Sequence, residues 1–413
     1  MALLPTRIYK AFNPPLVKKT DGAIKVGVLG AAKIVPLLPE IVLAPRNSLR
    51  STVFPRSGTL IKVYRVPDIQ CQYSMSQVTL TFVEEILDDP NIDAVFVPLP
   101  NALHYEWSTR AIRAGKHVLV EKPSVDNTTE ADMLFNMPEL SSTHPSPRVL
   151  LEAMHNKFHP ALHKFMTFVT PADVIHVYTD SMAPAWFTAA DNLNHKYQLG
   201  GGSIMALGTY NFGVMRMIFG QEPEECLECD TTVFDGGDCK QCDYTFKARF
   251  QFPNGTGYAT TIVKGPALWK PSEARVTHRK VVVPDKSLSD TQEKTRTRLV
   301  TLHGFMHAVA WHRIDVEDSY EIRNVVNGQT VKKWVESSSH TAYTYQDADE
   351  ELPGLGEYWW SSFRYQLEAF VNRVKGRETH YWVTGEDSIK QMKMIDMAYE
   401  KSGLGLRPTS TFR

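Results

Sequence analysis

The chain has 413 residues, 43% of them hydrophobic and 22% charged, which is enough apolar material for a sizeable core and more length than one domain commonly uses. Forty-five basic residues against 46 acidic ones leave a formal net charge of −1; this excludes a global pull toward nucleic acid or a membrane surface and points to a small-molecule partner. No apolar run approaches the roughly 18 residues of a membrane span and no signal core stands at the N-terminus, so a cytoplasmic location is the expectation.

Residues 1–22 carry Arg7, Lys10, Lys18 and Lys19 before the first acid, Asp21, and their weak periodicity reads as an arm. The faint transit-peptide character is weakened by Pro5, Pro14 and Pro15. The run Ile24 to Leu29 is short, apolar and rich in β-branched residues, which predicts a strand ending in the turn Gly30-Ala31-Ala32-Lys33-Ile34. Gly30, Ala32 and Val35 stand where a dinucleotide-binding turn carries its bend, its close approach to pyrophosphate and its helix packing, so Gly30, Ala32, Lys33 and Ile34 are cofactor-binding candidates. Two departures from three glycines make this turn weak evidence by itself.

Between residues 46 and 81 no second strand is recognisable. Pro55, Gly58 and Pro67 interrupt the segment and it contains no alanine, so it reads as a divergent loop or as the product of a misread frame. Legibility returns with a short helix ending at Pro90, a buried strand Ala94 to Val97, a helix from Tyr105 to Ala114 closed by Gly115, a strand His117 to Val120, and a last strand at Val149 to Leu151. Alternating strands and helices imply a parallel, doubly wound Rossmann sheet over residues 23–152. From 153 to 413 the pattern changes to a helix at Pro160 to Phe168, alternating segments at Val174 to Tyr178 and Tyr244 to Phe250, and a final helix around Trp360 to Lys375. This predicts a C-terminal α+β domain with a large, mostly antiparallel sheet.

Of five cysteines, Cys226, Cys229, Cys239 and Cys242 form two Cys-x2-Cys pairs with the spacing of a four-thiolate zinc site. Residues three apart on a strand face opposite ways, so each pair would need a tight turn to converge, and no metal is the favoured reading.

The segments Asp89 to Asn101 with His104, Ala114 to Pro123, Glu152 to His155, His159-Pro160, Gly200 to Tyr210, Pro253-Asn254-Gly255, Glu386-Asp387-Ser388 and Tyr399 to Gly405 together resemble the glucose–fructose oxidoreductase/inositol dehydrogenase (Gfo/Idh/MocA) family. Within it they are most similar to the branch of NADP-dependent D-xylose 1-dehydrogenase and dimeric dihydrodiol dehydrogenase. The resemblance implies NADP or NAD as cofactor, with NADP favoured by the resemblance alone, a sugar C1 hydroxyl or cyclic diol as substrate, and a homodimer formed through the C-terminal sheet.

Oxidising an alcohol requires a hydride acceptor held against the carbon and a base for the hydroxyl proton. The resemblance implies that Lys122 points into the cleft at the nicotinamide and that Tyr210 reaches it from the second domain. A nearby ammonium should lower a phenol's pKa, so Tyr210 is read as the general acid/base and Lys122 as its electrostatic partner, with the opposite assignment open. Many members of the family have an aspartate four residues before this tyrosine, where the chain has Ala206. Pro98, Pro100, Asn101, His104 and Glu121 are further cofactor candidates at the carboxyl ends of the strands. His155, Lys157, Asp191 and Asn194 are candidates for substrate hydroxyls. The competing readings are a dinucleotide-binding sensor without catalysis, for which a Lys/Tyr pair has no use, and a product inactivated by a misread segment at 46–81.

Overall fold

Among the described residues six strands form the first sheet around the run that begins at Ile24. A computed structural model describes residues 3–12, 24–29, 51–53, 60–62, 84–185, 196–234, 241–266, 268, 270–349 and 355–413. The spatial order is Ser51–Val53, Leu60–Lys62, Lys25–Val28, Ala94–Val97, His117–Val120, Leu150–Glu152. All neighbours run parallel except the first two. Val26, Val28, the whole of Ala94–Val97, Val118, Val120 and Leu151 are buried, as expected where helices cover both faces of a parallel sheet. The helix His104–Arg113 buries His104, Trp107, Ser108 and Ala111 in one stripe and stops at Gly115, whose φ of 76° suits a residue without Cβ.

The segment 46–81, in which the sequence shows no strand, contributes two. Leu60–Lys62 lies parallel to Lys25–Val28 in the place a second Rossmann strand takes, and Ser51–Val53 extends the edge. Each strand is only three residues long, too short for alternation to stand out among prolines and basic residues. The N-terminal stretch read as an arm also departs from expectation, because Leu3–Phe12 is a helix. Its Arg7 is buried and donates to the carbonyls of Val309 (3.0 Å) and Ala310 (3.2 Å).

The second sheet has nine strands. Eight run in the order Thr330–His340, Arg313–Asn324, Gln292–His303, Glu273–His278, Val174–Pro184, Gly255–Gly265, Asp243–Phe252, Glu225–Val233, with Val281–Val282 paired beside Gln292–His303. One pair, Val174–Pro184 with Gly255–Gly265, is parallel and the others are antiparallel. The helix Thr209–Phe219 lies on this sheet through Phe212 against Phe246 and Phe250, with centroids 5.5 and 5.1 Å away, and Phe219 stacked on Phe252 at 4.0 Å. Gly257 has no side chain because the Met215 thioether fills that space. A further helix, Gly385–Ser402, follows the one expected last; Thr384 caps it by accepting from the Asp387 amide at 3.1 Å.

A buried polar knot joins the glycine run at 200–202 to the C-terminal tail. Asp243 accepts from the Ile204 amide (2.6 Å) and the Tyr399 hydroxyl (2.9 Å), and Arg407 donates to that hydroxyl at 3.0 Å. Asp243→Ala leaves a buried guanidinium without its counter-charge, so we expect a loss of about 3 kcal/mol of stability, read as a lower denaturation midpoint in urea.

Candidate active site

Lys122 leaves the first sheet in the turn after His117–Val120, and its ammonium crosses to the second domain. Nζ donates to the Ala206 carbonyl at 2.7 Å and lies 4.6 Å from the centroid of the Tyr210 ring. Ala206 belongs to a π-helical turn, Ile204–Gly208, which runs into the helix bearing Tyr210; such turns concentrate at functional sites. The residue at the place of the family's aspartate therefore serves through its backbone. The Tyr210 hydroxyl is hydrogen-bonded to His155 Nε2 at 2.8 Å, and His155 Nδ1 to Ser362 Oγ at 2.8 Å. Phe363 stacks on the His155 ring at 3.8 Å, and His307 stacks near it at 5.6 Å.

The electrostatics reverse the expected order of the pair. Tyr210 is pushed well above its ordinary pKa, first by burial and then by the Glu121 carboxylate. Burial lowers Lys122 to about 8 against the opposing pull of Glu121 and Glu152, and it raises Glu121 to about 7 despite neighbouring Lys122. His155, fully buried, lies well below the usual histidine value because of desolvation, His307 and Lys122. The cluster thus holds a protonated phenol, a neutral imidazole and an amine that exchanges its proton close to neutrality.

Other expected positions divide sharply. His104 does not reach the cleft: it is fully buried, with Nδ1 2.8 Å from the Pro123 carbonyl and Nε2 2.8 Å from that of Leu99. The expected contact with nicotinamide ribose or substrate is corrected to a strut tying two strand-end turns together. Asn101 donates to the Gly200 carbonyl at 2.8 Å and so joins the domains. Pro98 is buried and Pro100 half-buried at the same strand end. Gly30, Ala32, Lys33, Ile34, Asp191 and Asn194 lie outside the described residues.

The Lys157 ammonium pairs with Asp387 at 2.7 Å, a carboxylate that Arg216 meets at 2.9 Å. Reading by local pattern missed Asp387, Ser362, Phe363 and His307 as neighbours of the site. Only Asp387 carries a local signal, as an acid in the first turn of a helix after a capping threonine. Burial would raise the Asp387 carboxyl, yet Lys157 and Arg216 bring it below its ordinary value. A depressed carboxylate stabilises the fold above its unfolded pKa, and that contribution is lost as pH falls through the folded one. The stability gap between wild type and Asp387→Asn in urea should therefore be full at about pH 6 and shrink from about pH 4 downward.

Cys226 and Cys229 face the core together because a bulge between Cys226 and Glu228 adds the residue that brings them to one side. Burial pushes the Cys226 thiol up to about 12 and raises Cys229 as well, and among the described residues no group of three or more metal-ligating side chains converges. Cys242 is fully buried, and Cys239 lies outside the described residues. Elemental analysis of purified protein is expected to find less than about a tenth of an equivalent of zinc; a full equivalent would restore the metal reading.

The carboxyl ends of parallel strands at a cleft between domains are where a dinucleotide binds in such sheets. Glu121 fits that use: among the described residues its carboxyl accepts one long hydrogen bond, 3.3 Å from the Lys122 amide, which leaves acceptor capacity for a ribose or amide group. Fold and site together define a two-domain nicotinamide-dinucleotide oxidoreductase. An oxidoreductase family's NAD-binding Rossmann fold matches residues 24–142, and its C-terminal alpha/beta domain matches residues 174–405. The chain belongs to this family, Gfo/Idh/MocA.

Among its relatives, D-xylose 1-dehydrogenase (NADP(+)) 2 of Haloferax volcanii is 26% identical over 323 residues, 78% of this chain and 82% of that protein. The scyllo-inositol 2-dehydrogenase (NADP(+)) of Bacillus subtilis is 39% identical over 140 residues, 34% of this chain and 35% of its own. Levoglucosan dehydrogenase, solved with NADH and L-sorbose, superposes with a TM-score of 0.60 at 13% identity over 94% of this chain and all of its own. Aldose–aldose oxidoreductase from Caulobacter crescentus, solved with glycerol, gives 0.57 at 18% identity over 92% and 98%. Such identities between structures carry the fold and no more. Among the described residues no helix is long and apolar enough to cross a membrane.

Proposed function

We propose that this chain transfers a hydride between NADP or NAD and a polyol, oxidising a sugar at its C1 hydroxyl or a cyclic diol. The observation that carries the reading is the half-buried Lys122 amine, held on the Ala206 carbonyl against Tyr210 and lowered to about 8 at the carboxyl end of the Rossmann sheet. The named activities of the xylose and inositol dehydrogenases support the substrate class, and both names favour NADP. When bound, the dinucleotide supplies the hydride acceptor.

The residues of this chain handle the proton. Neutral Lys122 accepts it from the substrate hydroxyl through Nζ, and the Ala206 carbonyl fixes that nitrogen by accepting its hydrogen bond. Tyr210, held protonated, donates its own hydrogen bond to the substrate oxygen or to His155. His155 stays neutral and, with Ser362 behind it, orients the phenol. This exchanges the roles first expected for Lys122 and Tyr210. A sensor that only bound dinucleotide would have no use for an amine poised near neutrality.

A cofactor-reduction screen with pentoses, hexoses and cyclic diols, using NAD and NADP in parallel, tests the reading. Oxidation should rise with pH through about 8 as Lys122 loses its proton. Lys122→Met should remove at least about two orders of magnitude of turnover and abolish that rise, whereas Tyr210→Phe should cost about tenfold and keep it. Full turnover in Lys122→Met, or no reduction of either cofactor by the wild type, would refute the proposal.

A further inference from the structure

The strands Gln292–His303 and Arg313–Asn324 are joined by a segment, 304–312, that presents one side chain to the site. Phe305, Met306 and Ala308 are buried, while His307 is exposed. The His307 ring lies nearly parallel to His155, at 13° with centroids 5.6 Å apart, and tilts against Phe363 at 6.5 Å. His155 spends both ring nitrogens on Tyr210 and Ser362. Neither nitrogen of His307 has a hydrogen-bond partner among the described residues, although it faces the same cluster.

The segment is held in place at several points. Ser272 takes the Gly304 amide on its carbonyl at 2.6 Å and the Met306 amide on its hydroxyl at 3.1 Å. His312 Nδ1 lies 2.7 Å from the Ala308 carbonyl. From the other end of the chain, Arg7 donates to Val309 and Ala310, and its guanidinium lies 3.8 Å from the centroid of the Tyr343 ring. A side chain with unused polar atoms on a loop fixed this firmly is placed to read a ligand.

We propose that His307 is a specificity-determining residue whose free ring nitrogens bind a hydroxyl of the polyol, and that Arg7 is a positioning residue holding its loop. The inference rests on the polyol oxidoreductase reading above and adds to it the residue that selects the substrate. The neutral imidazole offers one donor and one acceptor, which matches a hydroxyl and gives no preference to an acid.

The test compares wild type with His307→Phe, His307→Ala, His307→Gln and Arg7→Ala, measuring kcat, KM for the best polyol and dinucleotide affinity by fluorescence. Phe keeps the stacking on His155 and removes the nitrogens; Gln returns a donor and an acceptor. His307→Phe and His307→Ala should each raise the polyol KM about tenfold, the size of one lost hydrogen bond, while dinucleotide affinity stays within about twofold. Gln should recover KM to within about threefold of wild type. Arg7→Ala should raise the same KM, and combining it with His307→Ala should add nothing further. Either nitrogen-free variant with wild-type dinucleotide affinity and an unchanged polyol KM overturns the assignment alone. A wild type that binds dinucleotide but turns over no polyol overturns it together with the reading beneath it.

Discussion

Everything at the cleft depends on where one half-buried ammonium finds its partners. Lys122 arrives from the first domain, and its hydrogen bond and ring contact lie in the second, at Ala206 and Tyr210. An amine withdrawn from water loses much of its charge preference unless it is paired. Glu121 and Glu152 compensate only in part, which leaves the nitrogen near the point of proton exchange. The π turn, the depth of Tyr210 and the His155 to Ser362 chain all serve to keep that nitrogen in one geometry.

Around it, charges that belong to structure are drawn into ion pairs and hydrogen bonds with one another. Lys157 and Arg216 share Asp387, and Asp243 joins Tyr399 and Arg407. Of these groups only Lys157 stood out in the sequence as a candidate, while Arg216, Asp243 and Arg407 carried no motif. What distinguishes them is the ion pairing they make across the fold, a property of three dimensions that no spacing along the chain expresses.

The alternation of strands and helices from Ala94 to Leu151 was legible because buried parallel strands need continuous β-branched runs and helices need a stripe of apolar residues. The large second sheet was legible by its alternating segments. Leu60–Lys62 was not, since three residues do not establish a period. The helix Leu3–Phe12 was hidden because its anchor, Arg7, is a basic residue that pattern reading assigns to solvent. At the site, Lys122 and Tyr210 could be named, but their relative acidity could not: that follows from withdrawal from water, which raises the phenol and lowers the amine. His307 had no signal at all, being distant in sequence from every residue it meets.

The parallel pair inside the second sheet carries a consequence for how the chain is made. His176 pairs with Thr256, and the strand between those partners and the sheet's other half, Glu273–His278, comes later still. Val174–Pro184 is therefore synthesised with both of its edges bare and must wait for roughly 80 further residues before either is covered, a loop closure that long-range strands pay in time. During that interval the nascent second domain presents an open edge to other chains, so the central strand of the mature sheet is also the place where a newborn molecule is most exposed to pairing with the wrong partner.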